Sequence, residues 1–457
     1  MFAGWEACDT ADSEVCATSR VGFMVTMRVR RTGTEPHPMK LGSSVTSGWK
    51  ATISVAMSNY IDAGSIIAIA TSLGFWQSAF GLTDAVIGML AAFSANAFGA
   101  AIGALLGGPL TDRFGRKFIY TYDLVLYMIG VLLAVFSGNV VMLFIAFLLT
   151  GIAVGAGVPA SWTYIAEQAP TDSRAKHVGT AQLAWSIGPL IGFALAALLA
   201  PLGLLGSRII FAHLFFVAFI VWWIRQGLPE SAIWKESRSE RAPTPAGRGI
   251  SLLSKKANIT ALLFLFGVYG FWNLVAGQAG IFMPRVYAAT GVHEPVKQYL
   301  LQVLLWGCTV AGTYFGFMLF ADRMSRRVLY GGGAVLGIAG WIALVFAPPG
   351  WTSLLAFAIA WGTSAGIGAQ AFYGLWTAEL FATPYRASAQ GVLFFAARIA
   401  VGLLSSAFPI LLTRSGIGFV GTLLIGFLSL AALIGAIWAP ETRGKTLQQI
   451  EAERYAA

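Results

Sequence analysis

The sequence predicts an all-α membrane protein with twelve transmembrane helices in two pseudo-symmetric six-helix bundles. Hydrophobic residues make up 57% of the 457 positions and charged residues only 11%, a composition that excludes a water-soluble domain. A helix needs about 20 mostly apolar residues to cross a hydrocarbon core of roughly 30 Å. Stretches of this kind begin near residues 49, 84, 118, 140, 176, 207, 257, 297, 328, 352, 388 and 416. An even number of crossings puts both termini on one side of the membrane.

A tandem repeat divides the chain into two related halves. Asp112, Arg113 and Arg116 recur 210 residues later, between long apolar segments, as Asp322, Arg323 and Arg326. Three further pairs keep nearly the same offset: Glu167 with Glu379, Arg174 with Arg386, and Glu230 with Glu441. We therefore predict a first bundle over residues 47–226 and a second over residues 257–438. Residues 227–256 are predicted to be a linker and residues 439–457 a tail, while residues 1–46 are either a disordered leader or follow a wrongly assigned start.

The distribution of lysine and arginine predicts the orientation, because basic loops resist export across the membrane. With the amino terminus inside, the predicted inside segments hold 25 of the 30 basic residues and the outside segments four. The leader, linker and tail are therefore expected in the cytoplasm, on a multi-pass protein of the cell membrane. Basic loops at an anionic inner leaflet also explain the net charge of +10, so no nucleic-acid partner is expected.

Cysteine usage predicts neither a disulfide framework nor a metal site. The chain has three cysteines, Cys8, Cys16 and Cys308, and they are widely scattered. No catalytic nucleophile, base or metal cluster stands at a useful spacing, which argues against a membrane enzyme. We expect a monomer without a cofactor.

Several motifs resemble those of the major facilitator superfamily, and more narrowly its sugar porter branch, over about residues 45–451. The run from Asp112 to Lys117 matches the loop between helices two and three of that family. The segments 167–174 and 379–386 look like the branch motifs after helices four and ten, and 229–234 and 440–447 like those after helices six and twelve. The resemblance implies a solute site between the two bundles at the middle of the membrane.

The charged residues of these motifs are predicted to hold a cytoplasmic gate closed. An aspartate can accept hydrogen bonds from the first N–H groups of a neighbouring helix, while an arginine can reach a carboxylate. The alternative is that the charges only flank helices and set topology, although acidic residues contribute little to topology. The predicted gate residues are Asp112, Arg113, Arg116, Glu167, Arg174, Glu230, Asp322, Arg323, Arg326, Glu379, Arg386 and Glu441.

Two ionisable residues are predicted inside the bilayer, where a charge is costly and usually functional. Asp62 in helix one is the candidate proton-coupling group, with a structural or solute-contacting carboxyl as the alternative. In proton-coupled sugar porters an aspartate in this region pairs with an arginine of helix four, but Phe147 stands at the matching position here. Arg398 in helix eleven cannot lose its charge. It is expected either to pair with Asp62 across the cavity, to bind an anionic solute, or to reach an interface by snorkelling.

Other polar and aromatic residues in the apolar helices are predicted to bind the solute together with Arg398. Carboxamides offer both donors and acceptors, and aromatic faces suit the apolar side of a sugar ring. Each residue could equally make an interhelical hydrogen bond or belong to the interfacial aromatic belt. The candidates are Gln182, Trp185, Asn273, Gln278, Tyr373 and Trp376, of which Gln182 matches the glutamine of helix five in the family. The adjacent glutamine pair that hexose carriers have in helix seven is absent, which disfavours a standard hexose.

The sequence thus predicts a secondary active transporter for a sugar, polyol or related small metabolite, working by alternating access as a proton symporter. A first alternative is an organic-acid carrier that uses Arg398. A second is an exporter driven by proton antiport, suggested by Gly188 and Pro189 in helix five. A nutrient sensor on the same fold is a further possibility, although the predicted tail is short.

Overall fold

The computed structural model describes residues 45–227, 230, 231, 234, 235 and 255–455. Apart from residues 45 and 46, the predicted leader lies outside the described residues, as does most of the predicted linker. The described chain is helical throughout, with short turns and no strand. Its helices run alternately up and down, as the apolar pattern predicts.

Six helical segments form the first half. They are segment one (Val45–Phe80), segment two (Asp84–Ala92 and Phe98–Phe114), segment three (Arg116–Val135), segment four (Val140–Gln168), segment five (Arg174–Leu199) and segment six (Leu204–Gln226). Polar caps begin two of them, since Thr83 accepts from the amide of Val86 and Asn139 from the amide of Met142. Segment two is interrupted at residues 93–97.

Six more segments form the second half. Segment seven runs through Lys256–Leu265, a π-helical turn at Phe266–Gly270 and Phe271–Ala289. Segment eight comprises Pro295–Ala311 and a π-helical stretch at Gly312–Met318, segment nine is Arg326–Phe346, and segment ten comprises Trp351–Ile367 and Ala369–Leu380. Segments eleven and twelve share one continuous helical stretch, Arg386–Trp438, which bends at Gly416. A short helix, Leu447–Tyr455, follows.

The length of this last stretch shows that it crosses the membrane twice. At 1.5 Å per residue, 53 residues would extend about 80 Å, more than twice the hydrocarbon thickness. Gly416 has φ 72°, a left-handed conformation that glycine adopts at little cost, and it separates residues 386–415 from residues 417–438. Ten described helices are individually long and apolar enough to span a membrane. The broken second segment and the division at Gly416 bring the number to twelve, which confirms the predicted fold class.

The halves pack closely along segments two and eleven. A Cβ atom added at Gly391 would lie 2.4 Å from the carbonyl oxygen of Ala104, and one added at Gly88 would lie 2.5 Å from that of Ser406. Small residues of this kind let helix backbones approach in membrane proteins. Segments one and seven, and five and eight, also make contacts between the halves, and segments four and five contact segment ten. Below, the end of the bundle where segments three, five, nine and eleven begin is called the charged end, and the other the opposite end.

Candidate transport site

At the charged end, Glu167 is the centre of a buried ion cluster. Its Oε1 accepts from Arg116 Nη2 at 2.7 Å and from Arg386 Nη1 at 3.2 Å, while its Oε2 accepts from Ser231 Oγ at 2.6 Å. Arg116 belongs to the first half and Arg386 to the second. The carboxylate therefore joins the two halves directly. Its side chain has no solvent exposure, so losing both arginines would leave an uncompensated buried charge.

A second cluster repeats this arrangement around Glu379. Its Oε1 accepts from Arg174 Nη1 at 3.0 Å, and its Oε2 accepts from Arg326 Nη1 at 2.5 Å and from Thr442 Oγ1 at 2.6 Å. Here the arginine from the other half is Arg174. The repeat in the sequence thus becomes a pseudo-twofold pair of clusters, each with one carboxylate, one arginine of its own half and one arginine of the other.

Two aspartates add a further link by capping helices of the opposite half. Asp112 Oδ2 accepts from the backbone N of Ser388 at 2.8 Å and from its Oγ at 2.7 Å, at the start of segment eleven. Asp322 accepts from the backbone N of Ala175 at 3.1 Å and of Lys176 at 3.0 Å, at the start of segment five. A carboxylate is favoured at these positive helix ends. Burial raises the pKa of Asp322 in its loop, and the two amide donors oppose that rise.

Glu230 and Glu441 cap helices within their own halves. Glu230 accepts from the backbone N of Arg116 and of Lys117, both at 3.0 Å, and Glu441 accepts from the backbone N of Arg326 at 3.3 Å. The turn before segment three requires glycine at position 115. Its φ is 97°, and an added Cβ would lie 2.2 Å from Glu230 Oε2. These two glutamates therefore fix the loops that carry the clusters.

The remaining predicted gate residues, Arg113 and Arg323, are exposed and lie outside both buried clusters. The guanidinium of Arg113 lies 5.1 Å from the centroid of the Phe114 ring. The carbonyl oxygen of Arg323 accepts from Arg443 Nη1 at 2.8 Å. The charged motif therefore has two parts: buried residues that join helices, and exposed arginines at the edge of the motif.

Inside the bilayer, the structure brings Asp62 and Arg398 together across the two halves. Asp62 Oδ2 lies 4.0 Å from Arg398 Nη2 and accepts from Trp185 Nε1 at 3.2 Å. Arg398 Nη1 donates to the carbonyl oxygen of Asn96 at 2.8 Å, and its guanidinium lies 4.6 Å from the centroid of the Phe394 ring. Each charged side chain is only 2% exposed. The two charges thus compensate each other, as the sequence suggested, and Arg398 does not snorkel.

A pocket beside this pair lies between the halves. It is lined by three of the predicted solute-binding residues, Trp185, Asn273 and Arg398, and by three polar or aromatic residues that the sequence analysis did not single out, Asn96, Trp306 and Gln370. Small and apolar residues complete it, among them Ala63, Ile66, Pro189 and Gly280. The indoles of Trp185 and Trp306 meet edge to face with their ring centroids 5.3 Å apart.

Several buried polar atoms at and beside this pocket have no hydrogen-bond partner within the described chain. Three are acceptors: Asp62 Oδ1, Asn273 Oδ1 and Gln370 Oε1. Two are donors, Arg398 Nε and Trp306 Nε1. An unpaired buried polar atom costs about 1–3 kcal/mol, so these atoms favour a ligand that can pair with them. Isolated polar residues in apolar stretches are the sequence feature that predicts a solute site. Asn96 and Gln370 show this feature as clearly as Asn273 does.

Gln182 and Gln278 lie away from the residues that line this pocket. The Gln278 amide donates to the carbonyl oxygen of Val401 at 3.3 Å and accepts from Ser405 Oγ at 3.1 Å, so it joins segments seven and eleven. The Gln182 amide donates to Ser186 Oγ at 3.5 Å, and its Oε1 has no partner among the described residues. Their contact with a solute stays a prediction.

Tyr373 and Trp376 belong to an aromatic core of the second half. The hydroxyl of Tyr373 donates to the carbonyl oxygen of Gln390 at 3.2 Å, and its ring stacks on Tyr269 with centroids 4.0 Å apart. The Trp376 ring packs against Phe372 at 4.8 Å. Both residues pack in this aromatic core and are absent from the pocket lining, and their contact with a solute stays a prediction.

The opposite end is closed by a second set of polar contacts. Asp84 Oδ1 accepts from Arg285 Nη1 at 2.9 Å, and its Oδ2 accepts from Thr413 Oγ1 at 3.4 Å. Arg285 Nη2 also bonds to Gln77 Oε1. Segments one and two are thus tied to segments seven and eleven, and contacts join the halves at both ends of the pocket. Arg285 is one of the four basic residues in the predicted outside segments, and no gate was predicted at this end.

Comparisons with known proteins agree with this architecture. A family model described as Major Facilitator Superfamily matches residues 51–292, and one described as Sugar (and other) transporter matches residues 246–453. The minor myo-inositol transporter IolF of Bacillus subtilis (strain 168) is 42% identical over 414 residues, which cover 89% of this chain and 94% of that protein. The glucose transporter GlcP of Staphylococcus epidermidis is 24% identical over 401 residues, covering 79% and 87%.

Solved structures show the same fold. The proton:xylose symporter XylE bound to 6-bromo-6-deoxy-D-glucose superposes with a TM-score of 0.72 at 22% identity, covering 89% of this chain and 99% of that one. The human organic anion transporter MFSD10 gives a TM-score of 0.64 at 15% identity, covering 85% and 99%. The chain is therefore a multi-pass membrane transporter of the sugar and polyol kind, and it belongs to the sugar porters of the major facilitator superfamily.

Proposed function

We propose that this protein carries a small cyclic polyol of the myo-inositol kind, and that it does so as a proton symporter working by alternating access. The solute class rests on the 42% identity to a myo-inositol transporter over most of both chains. Proton coupling rests on the buried carboxyl of Asp62. The proton:xylose symporter XylE has the same fold, and at 22% identity it supports the fold alone.

The choice of solute rests on the hydrogen-bonding atoms at the pocket that have no partner. Three acceptors await donors, and two donors, Arg398 Nε and Trp306 Nε1, await acceptors. A hydroxyl group can pair with both kinds of atom. A polyol presents a hydroxyl donor on each carbon of its ring, whereas a carboxylate presents only acceptors. The positive charge of Arg398 is already balanced by Asp62. A neutral polyol therefore suits this pocket better than an organic acid, and the faces of Trp185 and Trp306 can cover the C–H side of its ring.

The paired clusters supply the inner gate of the proposed cycle. Each is built so that separating the halves at the charged end breaks one arginine–carboxylate contact and leaves the other intact. Breaking the contacts of Asp84 and Arg285 instead would open the opposite end. Under the positive-inside rule, the charged end and both termini face the cytoplasm of the cell, and one chain supplies both halves, so a monomer suffices.

Uptake into proteoliposomes tests this function. With an inward proton gradient, labelled myo-inositol is expected to accumulate above its outside concentration, and an uncoupler should abolish that accumulation. cis,cis-Muconate, the solute named for a 24% identical relative from Acinetobacter baylyi, serves as the organic-acid control. Uptake of muconate without myo-inositol would overturn the proposed solute, and uncoupler-insensitive accumulation would overturn symport.

The roles of the two buried charges are tested in the same vesicles. Asp62→Asn is expected to abolish accumulation but to leave exchange of myo-inositol across the membrane, because the solute site remains and the proton carrier is lost. Arg398→Ala is expected to weaken both, because it also removes a donor at the pocket. Undiminished accumulation by the Asp62→Asn protein would exclude Asp62 as proton carrier.

A further inference from the structure

A second carboxylate is buried inside the first half, away from the central pocket. Asp123 lies in segment three and is only 7% exposed. Its Oδ1 accepts from the backbone N of Leu124 at 2.6 Å. Its side chain borders a separate small pocket, which Ser58, Tyr127 and Gly157 also line. The gate and the solute site described above make no use of this group.

A fixed positive charge accompanies Asp123. Arg225, at the end of segment six, is 1% exposed and interacts electrostatically with the carboxyl of Asp123. Its Nη2 donates to the carbonyl oxygen of Val55 at 2.8 Å and to Ser58 Oγ at 2.7 Å, while its Nη1 has no hydrogen-bond partner within the described residues. A guanidinium held in this way keeps its charge. Asp123 can therefore exist as a carboxylate between protonation events.

The surroundings of the pocket leave room for this carboxylate and add few other titratable groups. Segment four contributes Ala153, Val154 and Gly157, none of which carries a charge. A Cβ at Gly157 would lie 2.4 Å from Asp123 Oδ2, so glycine at this position makes the space. The titratable groups facing Asp123 are Arg225 from segment six and Tyr127 from segment three itself.

Polar groups of segment one join this pocket to the helical turns on either side of Asp62. Tyr127 stands four residues after Asp123 on segment three, and its hydroxyl is hydrogen-bonded to Ser65 Oγ of segment one at 2.7 Å. On segment one, Ser58 stands four residues before Asp62, one helical turn nearer the charged end. Asp123 itself is seven residues from the start of segment three, about 10 Å from the charged end. A polar column thus runs from Asp62 towards the charged end.

From this arrangement we infer that Asp123 is a second proton carrier, which receives the proton from Asp62 through the pocket at Tyr127 and releases it at the charged end. The inference rests on the proposed symport. In the transfer, the carboxyl of Asp62 loses H⁺ to water in the pocket and the carboxylate of Asp123 takes up H⁺, so one proton moves and no bond to carbon changes. Asp62 is then a carboxylate again and is attracted to Arg398.

Asp123→Asn in proteoliposomes tests the relay. The asparagine has the size of the aspartate but cannot carry a proton, so gradient-driven accumulation of myo-inositol is expected to fall by about tenfold or more. Exchange of labelled for unlabelled myo-inositol needs no net proton movement and is expected to stay within about twofold of the parent protein. Tyr127→Phe, which removes only a hydroxyl, is expected to slow accumulation and to leave exchange unchanged.

The matched control is Asp172→Asn, which removes an exposed carboxylate outside the relay and is expected to leave accumulation and exchange unchanged. Exchange by every variant shows that it has folded. Full gradient-driven accumulation by Asp123→Asn would overturn the relay and leave the symport proposal standing. If the parent protein shows no proton-driven accumulation, the symport proposal itself fails. If Asp123→Asn loses exchange as well, Asp123→Glu is the deciding variant. A proton relay works with either carboxyl group, so restored accumulation supports the relay, whereas loss of accumulation in both variants overturns it.

Discussion

Replacing Arg174 with glutamine is expected to weaken the closed form of the charged end while leaving each half folded. Arg174 Nη1 supplies the contact between halves in the second cluster, at 3.0 Å from Glu379 Oε1, and it also donates to the carbonyl oxygen of Lys445 at 3.2 Å. After the substitution, Glu379 still pairs with Arg326 and Thr442 of its own half. The buried carboxylate is therefore not left without a counter-charge.

The size of the effect follows from the bond that is lost. A hydrogen bond to a charged group contributes about 1.5–3 kcal/mol. Arg174 makes this bond only when the charged end is closed, so the whole of that free energy bears on the equilibrium between the closed and open forms. Since each 1.4 kcal/mol is a factor of ten, the ratio of closed to open protein is expected to fall by roughly 10-fold to 150-fold.

Distances between spin labels measure this ratio. Labels on cysteines at positions 117 and 327, the exposed first turns of segments three and nine, report the separation of the halves at the charged end. The matched control is Arg323→Gln, which removes an exposed arginine of the same motif. A larger open population is expected for Arg174→Gln alone. Identical distance distributions for the two variants would refute the assignment of Arg174 to the gate.

Three further perturbations are expected to act at single contacts. Gly115→Ala should lower the melting temperature, because alanine costs about 1–2 kcal/mol in a backbone conformation with positive φ and its Cβ would meet an oxygen of Glu230. Gly331→Ala is the control and should leave the melting temperature unchanged, since an added Cβ there meets nothing within 4 Å. Gln370→Ala should weaken myo-inositol binding about tenfold through the loss of one acceptor, and unchanged binding isotherms would contradict this. Asp84→Asn should favour the form open at the opposite end by no more than about fivefold, since that ion pair is partly exposed, and labels across that end would detect the shift.

The partners at the charged end could be predicted because chemistry and topology both constrain them. Asp112 lies in the last turn of segment two and Asp322 in the short loop before segment nine. Both are next to helix starts, where a carboxylate has few places to bond other than exposed amides. The repeat then implies that whatever Glu167 does in one half, Glu379 does in the other. The structure has this arrangement, with each carboxylate reached by an arginine from both halves.

The pocket could be predicted only in part, because apolar membrane helices do not reveal which face points inward. Asn273 and Gln278 are five residues apart and so differ by about 140° around segment seven. Only the first lines the pocket. A soluble helix would show its inner face by an apolar stripe, whereas here the lipid-facing side is equally apolar. The interruption of segment two at residues 93–97, which contains Asn96, could not be predicted, because no proline or glycine there marks a break.

Under the proposed symport, Arg398 takes the place of the helix-four arginine with which the aspartate of helix one pairs in proton-coupled sugar porters. At the matching position, Phe147 packs against Trp76 in an apolar cluster. An ion pair within the first half would keep its geometry when the two halves move relative to each other. The pair of Asp62 with Arg398 joins the halves, and Arg398 is held further by Asn96 of the first half. Protonation of Asp62 removes its electrostatic attraction to Arg398, which is strong in a medium of low dielectric constant. Under the proposed symport, a bound proton therefore lowers the free energy needed to separate the two halves next to this pair.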